Sequence, residues 1–168
     1  MITRSLLIVF FLIMNSFLSW AQTTKNSAVS VKEFTDNPFP FEMNLEQLEK
    51  YYGDYLKKEK YTKKNRFAPT QKDTIVRFFK GKTEFFFYQP YNGKPLFVAA
   101  NIFDKRIKIK GDIATTMTSR ELFNKITYPD TGSDTIKISL PEGAYKVSMV
   151  LKDEKIYHIK IEARNNYH

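Results

Sequence analysis

The chain has 168 residues, 27 of them basic and 18 acidic, a net charge of +9 and no cysteine. The lack of cysteine excludes both a disulfide framework and a lipid-modified cysteine anchor, so the fold has to rest on its core alone. The basic balance favours anionic partners but fixes no fold.

Residues 1–21 read as a signal peptide. Arg4 is their only charge, the apolar run Leu6 to Leu18 is thirteen residues long, and Ser19-Trp20-Ala21 puts small residues at the two positions a signal peptidase reads. The run is too short to span a bilayer, and the polar segment after Trp20 argues against a membrane anchor. The expected mature chain starts at Gln22 and has 147 residues and a charge of about +8. That length suits one domain burying about two thirds of its unfolded surface. The expected location is therefore periplasmic or extracellular, with no lipid anchor and no transmembrane segment after processing. Acidic proteins, phosphorylated or acidic glycans and anionic lipid head groups are the expected partner classes there, and nucleic acid is not.

From residue 22 to 42 the chain is polar and then proline-punctuated, "TDNPFPF", and reads as an extended lead-in because a residue before proline is pushed out of the helical region. A single domain is expected over 43–168. Its first helix starts at "MNLEQL", with Asn44 as N-cap, Gln47 to close a capping box, and Met43 packing on Leu48 as a staple. "MTSREL" repeats the device with Thr118, Glu121, Met117 and Leu122, and each start is followed by Asp-Thr-Ile, at Asp73 and Asp134. The pattern predicts two tandem units, about 43–113 and 114–163. Each is a helix followed by an antiparallel meander, giving an α+β fold with the helices packed on one face of an antiparallel sheet.

In the first unit, turns at Gly81, Asn92-Gly93 and Asp104-Lys105 predict strands near 74–80, 83–89, 95–103 and 106–112. With two-residue loops, Phe78 opposes Phe85, Val76 opposes Phe87, Phe87 opposes Val98, Phe85 opposes Ala100, Ile102 opposes Ile107 and Ala100 opposes Ile109, which makes one uniformly apolar face. The reverse face carries the candidate binding residues Arg77, Phe79, Phe86, Tyr88, Phe97, Phe103, Arg106, Lys108 and Lys110, aromatic in the middle and basic along one edge. Such a patch serves docking, or else Phe39 and Phe41 of the lead-in cover it.

In the second unit, a turn at Glu142-Gly143 opposes Leu140 to Tyr145, Ile138 to Val147 and Ile136 to Met149. A three-residue loop at Asp153 to Lys155 opposes Leu151 to Tyr157, Met149 to Ile159 and Val147 to Ile161. The reverse side holds Lys137, Lys146, Lys152, His158 and Lys160, a row that by itself reads as a solvated face.

The helix-then-meander unit used twice, with Met117, Thr118, Glu121 and Leu122 following "IKIKGDIATT", resembles the fold shared by β-lactamase inhibitor proteins and SmpA/OmlA (BamE-like) envelope domains. Thr116 stands where that family usually has glycine. The resemblance implies a non-catalytic module that binds through its open sheet face. The residues offer no competing chemistry: His158 and His168 are the only histidines and lack metal-ligand spacing, and there is no nucleophile elbow or phosphate-cradling glycine loop. No cofactor is expected. Three functions stay open: protein binding through the outer sheet face, binding of acidic glycan or lipid head groups at the cell envelope, and a hydrolase without a recognisable motif.

Overall fold

The computed structural model describes residues 28–129 and 132–164. The expected signal peptide, residues 22–27 of the lead-in and His168 lie outside the described residues.

The lead-in is structured, not merely extended. Helix α1, Val31–Asp36, starts at a complete capping box, in which Ser30 Oγ accepts from the Glu33 N–H at 3.2 Å and the Glu33 carboxylate accepts from the Ser30 N–H at 3.2 Å. It ends at Asn37, before Pro38, whose ring cannot continue a helix. Helix α2, Leu45–Tyr52, begins where expected, Asn44 Oδ1 accepting from the Gln47 N–H at 2.9 Å. Only that half of the predicted box forms. Helix α3, Ser119–Lys125, has the full box between Thr118 and Glu121.

Seven strands form one antiparallel sheet. They are β1 (Lys57–Lys64), β2 (Lys72–Lys80), β3 (Thr83–Gln89), β4 (Leu96–Ile102), β5 (Thr135–Ile138), β6 (Tyr145–Lys152) and β7 (Lys155–Ala163), in the order β1-β2-β3-β4-β7-β6-β5. The fold is α+β, as expected. The β2–β3 register is the predicted one, with Phe78 opposite Phe85 and Val76 opposite Phe87. So are Ile138 opposite Val147, Ile136 opposite Met149, and Met149 opposite Ile159.

Three parts of the expected register are corrected. The fourth strand near 106–112 does not form. Ala100 and Ile102 pair with Ile161 and Ile159 of β7 in place of Ile109 and Ile107. The displaced segment turns beneath the sheet, with the Ile107 N–H on the Asp104 carbonyl at 3.1 Å and the Lys110 N–H on the Pro38 carbonyl at 2.8 Å. Ile107 and Ile109 reach the core this way while β4 keeps its edge for β7. Second, β3 and β4 are joined through 90–95, not through a two-residue turn. The register slips between Phe86 and Phe87, so that Phe87 opposes Phe97 and Val98 is the extra residue of a bulge. Third, the β6–β7 turn has two residues, and a second slip makes Leu151 oppose Ile156, which leaves Tyr157 half exposed.

The three α-helices among the described residues put Phe34, Leu48 and Leu122 into one core with Val76, Phe78, Phe85, Phe87, Ala100, Ile102, Val147, Met149, Ile159 and Ile161. The phenylalanines of the lead-in join it on the same side. Phe39 lies 6.3 Å from Phe85, 5.6 Å from Phe97 and 6.4 Å from Tyr145, ring centre to ring centre, and Phe41 stacks on Tyr51 at 4.3 Å. α1 is fitted closely to the β5–β6 connection, because a Cβ added at Gly143 would sit 2.7 Å from the side chain of buried Thr35. The described helices and residues 28–42 of the lead-in occupy one face of the sheet, and no helix among the described residues packs on the other.

Candidate binding face

Directly opposed residues of antiparallel strands share a face, so the registers give the outer face row by row. One row runs Lys57, Phe79, Glu84, Asn101, Lys160, Ser148 and Lys137; the next runs Glu59, Arg77, Phe86, Ala99, Glu162 and Lys146; a third holds Tyr61, Ile75 and Tyr88. Beside the first row, Val150 opposes His158.

Five of the nine predicted site residues are here. Arg77, Phe79, Phe86 and Tyr88 share the face, and Phe103, just past β4, adjoins it by stacking on His158 at 4.2 Å and nearly parallel. The other four are elsewhere. Phe97 is 6 % exposed and belongs to the core, because the β3–β4 bulge turns it inward. Arg106 donates to Asp104 and lies 4.2 Å from the ring centre of Tyr55, fastening the end of α2 to the end of β4. Lys108 faces Asp112 at 3.9 Å. Lys110 reaches the Glu33 carbonyl at 3.4 Å, on the side of the lead-in. The basic edge expected from Arg106, Lys108 and Lys110 therefore does not exist. Lysines of β6 and β7 supply positive charge to the outer face instead.

The polar groups of the face are joined across five strands. Arg77 donates to Glu84 at 3.0 Å and approaches Glu59 of β1 at 3.6 Å. Its guanidinium also lies 4.5 Å from the centre of the Phe79 ring and 6.0 Å from that of Phe86, a cation–π arrangement. Asn101 donates to Glu84 at 3.2 Å, and its oxygen is left to accept from Nε2 of His158 at 3.2 Å. Ion pairs as exposed as these contribute about 0–1 kcal/mol each. They orient the aromatic rings more than they stabilise the sheet. Burial, reinforced by Lys160, holds His158 below its ordinary 6.5 and keeps the ring neutral against Phe103.

One end of the face is closed by a buried carboxylate. Asp73, 1 % exposed, accepts from the Tyr88 hydroxyl at 2.6 Å, from Asn65 at 2.9 Å and from the Tyr91 N–H at 3.1 Å. These donors, Tyr88 first, hold its carboxyl below the usual range. The arrangement pins the loops flanking β2 and β3, and every oxygen contact is to a neutral donor that fixes it in place. Asp104 is likewise held low, by Arg106 first and by Tyr55. Neither carboxylate faces a nucleophile or a second acid. Among the described residues no group of three or more His, Asp or Glu side chains is placed to hold a metal ion, and no helix is long and apolar enough to cross a membrane.

Sequence reasoning missed the contribution of β1, whose Glu59 and Tyr61 extend the face. "KKEKYTKK" has no apolar alternation to announce a strand, and all eight residues are exposed.

Comparison with known proteins adds no relative: no family model matches the sequence, and searches of curated proteins and of solved structures return no match.

Proposed function

We propose that the protein is exported and acts without chemistry of its own, as a module that holds another protein against the outer face of its sheet. In this reading two tandem helix-plus-meander units, about 43–113 and 114–163, join at β4–β7 and make that face broad, as the likeness to the β-lactamase inhibitor and SmpA/OmlA fold implies. The division of the aromatic residues carries the reading. Phe39 and Phe41, the cover expected from the lead-in, are buried in the core, while Phe79, Phe86 and Tyr88 lie on the side opposite the helices. Contiguous apolar area of that kind marks interaction sites, and Tyr and Arg are favoured anchors in interfaces. Lys57, Lys137, Lys146 and Lys160 around the aromatic centre suit a partner with an acidic surface.

The test is capture from envelope extract by the mature chain, beginning at Gln22, beside a Phe79→Ser/Phe86→Ser variant shown to be folded by circular dichroism. The expected result is a protein retained by the wild type and lost with the variant. Equal capture by both, or retention of carbohydrate or lipid alone, overturns the reading. Intact mass of the exported product checks the localisation: a chain starting at Gln22 supports it, and a membrane-bound species retaining Arg4 contradicts it.

A further inference from the structure

Beyond the aromatic face, the end of the sheet at the β2–β3 and β6–β7 turns holds two adjoining cavities of about 500 and 440 Å³ that share Lys82, Phe103 and Thr116 as lining. Phe103, Ile156 and Tyr157 give the larger one apolar lining, and Lys82, Lys152 and Lys155, the last two flanking the β6–β7 turn, line it with positive charge. Lys80 and Lys105 line the smaller one. Of these five lysines none forms a salt bridge among the described residues, and Lys80 alone has a ring partner, Tyr55 at 3.8 Å. The two carboxylates lining the cavities do little to offset them. Asp104 is already engaged by Arg106 and Tyr55, leaving Asp153 against five cations.

The backbone beside this cleft carries one outlier. Three of the four non-glycine residues with positive φ among the described residues are here: Thr116 at 76°, Asp153 at 51° and Glu154 at 58°. A β-branched residue in that region is an outlier. Thr116 is held there by its N–H on the Ile156 carbonyl at 2.7 Å, and the Ile156 N–H returns to Met117 at 2.8 Å. Asp153 and Glu154 take the positive φ that a favoured two-residue hairpin turn requires, so Thr116 is the one strained position lining the cleft among the described residues.

We infer that this cleft is a binding site for a ring-bearing organic anion with at least two phosphate groups, a phosphorylated sugar or its equivalent, whose apolar ring face lies on Phe103 and Tyr157 while the lysines hold its phosphates. Lysine binds phosphate as a mobile point charge, and five of them suit a ligand that carries more than one phosphate. The volumes fall in the ordinary range for small-molecule sites. The same chemistry is found in a free sugar phosphate and in a phosphorylated lipid head group.

Amide NMR of the mature protein, titrated with glucose 1,6-bisphosphate, glucose or inorganic phosphate, tests the site. Saturable shifts are expected with the bisphosphate, centred on residues 80–83, 103–105, 115–116 and 152–157. Glucose should give none, and inorganic phosphate should bind more weakly. Lys82→Glu/Lys152→Glu should weaken bisphosphate binding about tenfold or more through two lost charge-assisted contacts, whereas Lys60→Glu on β1 should leave it unchanged. Sedimentation with phosphatidylcholine vesicles containing phosphatidylinositol 4,5-bisphosphate separates the sources. Binding lost in the double variant assigns a lipid head group, and binding of the soluble bisphosphate alone assigns a free ligand. The inference is overturned by an absence of saturable shifts, by shifts spread equally over β1, by inorganic phosphate matching the bisphosphate, or by equal weakening in Lys60→Glu. Loss of partner capture in Phe79→Ser/Phe86→Ser leaves this site untouched, so the two proposals fail separately.

Discussion

Replacing Phe97 by alanine tests the bulge that divides the aromatic cluster between core and outer face. The ring is 6 % exposed and touches Phe39 and Phe87 edge-on at 5.6 Å and Tyr145 at 5.9 Å. Truncating a buried phenylalanine costs about 3–5 kcal/mol, and each aromatic contact adds about 0.5–1.5 kcal/mol beyond its area. The partners come from the lead-in, β3 and β6, three elements that cannot all close on the void, so the upper half of the range applies, about 4–5 kcal/mol. In a domain of this size that lowers the melting temperature by roughly 10–15 °C. Phe86→Ala, one strand over on the outer face, should cost about 1 kcal/mol or less. Urea unfolding followed by far-ultraviolet circular dichroism measures both. A cost below about 1 kcal/mol for Phe97→Ala together with a large cost for Phe86→Ala would mean that the strand runs without a bulge and that the faces are reversed. Large costs for both would mean that the outer face is covered, and the docking proposal would fall.

Gly143→Ala should destabilise by about 1–3 kcal/mol, since the new methyl must displace Thr35 and with it α1; an unchanged urea midpoint would show that α1 does not dock on the β5–β6 connection. Thr116→Gly should stabilise by about 0.5–1 kcal/mol by relieving a threonine at φ 76°, and a loss of stability would contradict the left-handed backbone there. Stability should fall in two stages on acidification. The folded state disfavours the charged form of His158, so the unfolded chain takes up that proton first and stability declines as pH drops below 6.5. Asp73, Asp104, Glu33 and Glu121 are held low instead, so their contribution, present above the ordinary 3.8 to 4.5, is lost as pH falls through their folded values. His158→Phe should remove the upper stage alone, and denaturation midpoints across the pH range would show it.

Where a turn carries its own geometry, the sequence was readable. Gly81, at φ 58°, closes a two-residue β2–β3 hairpin, and from it the placement of Phe78, Phe85 and Phe87 in the core follows without further information. The N-caps Asn44 and Thr118 are likewise local chemistry and were legible. Register propagates only as far as the next bulge, however. The slip beside Phe86 moved Phe97 from the face to the core, and the slip beside Val150 moved Ile156 inward. Bulges are set by what packs beneath the strand, here Phe39 against Phe97, and no pattern within "PLFVAA" encodes that. The alternation of Ile107 and Ile109 with lysines reads as a strand because burial alternates, yet β7 competes for the same edge of β4 and wins through a ladder some sixty residues distant in sequence. α1 could have been found, since Ser30-Val31-Lys32-Glu33 is a capping box, but the prolines after it drew the reading towards extended chain. The paired Asp-Thr-Ile signals do not mark equivalent positions: Ile75 points outward and Ile136 into the core. The lysine cleft was hidden because its cations sit at strand ends and turns, Lys80 and Lys82 at one hairpin and Lys152 and Lys155 at another, where lysine is ordinarily only a solvated residue.

The two borders of the sheet set how the molecule meets its neighbours. At one border β1 presents an unpaired backbone on a strand with five lysines, and at the other β5 is only four residues long. A second copy approaching strand to strand would meet repelling lysines on one side and too short a template on the other, the standard defences against polymerisation into fibrils. A sheet guarded at both borders can carry the part-buried Phe79 and Phe86 on its flat side without offering an edge from which ribbons would grow. Under the proposed docking role, association is left to the flat side, where side chains do the selecting.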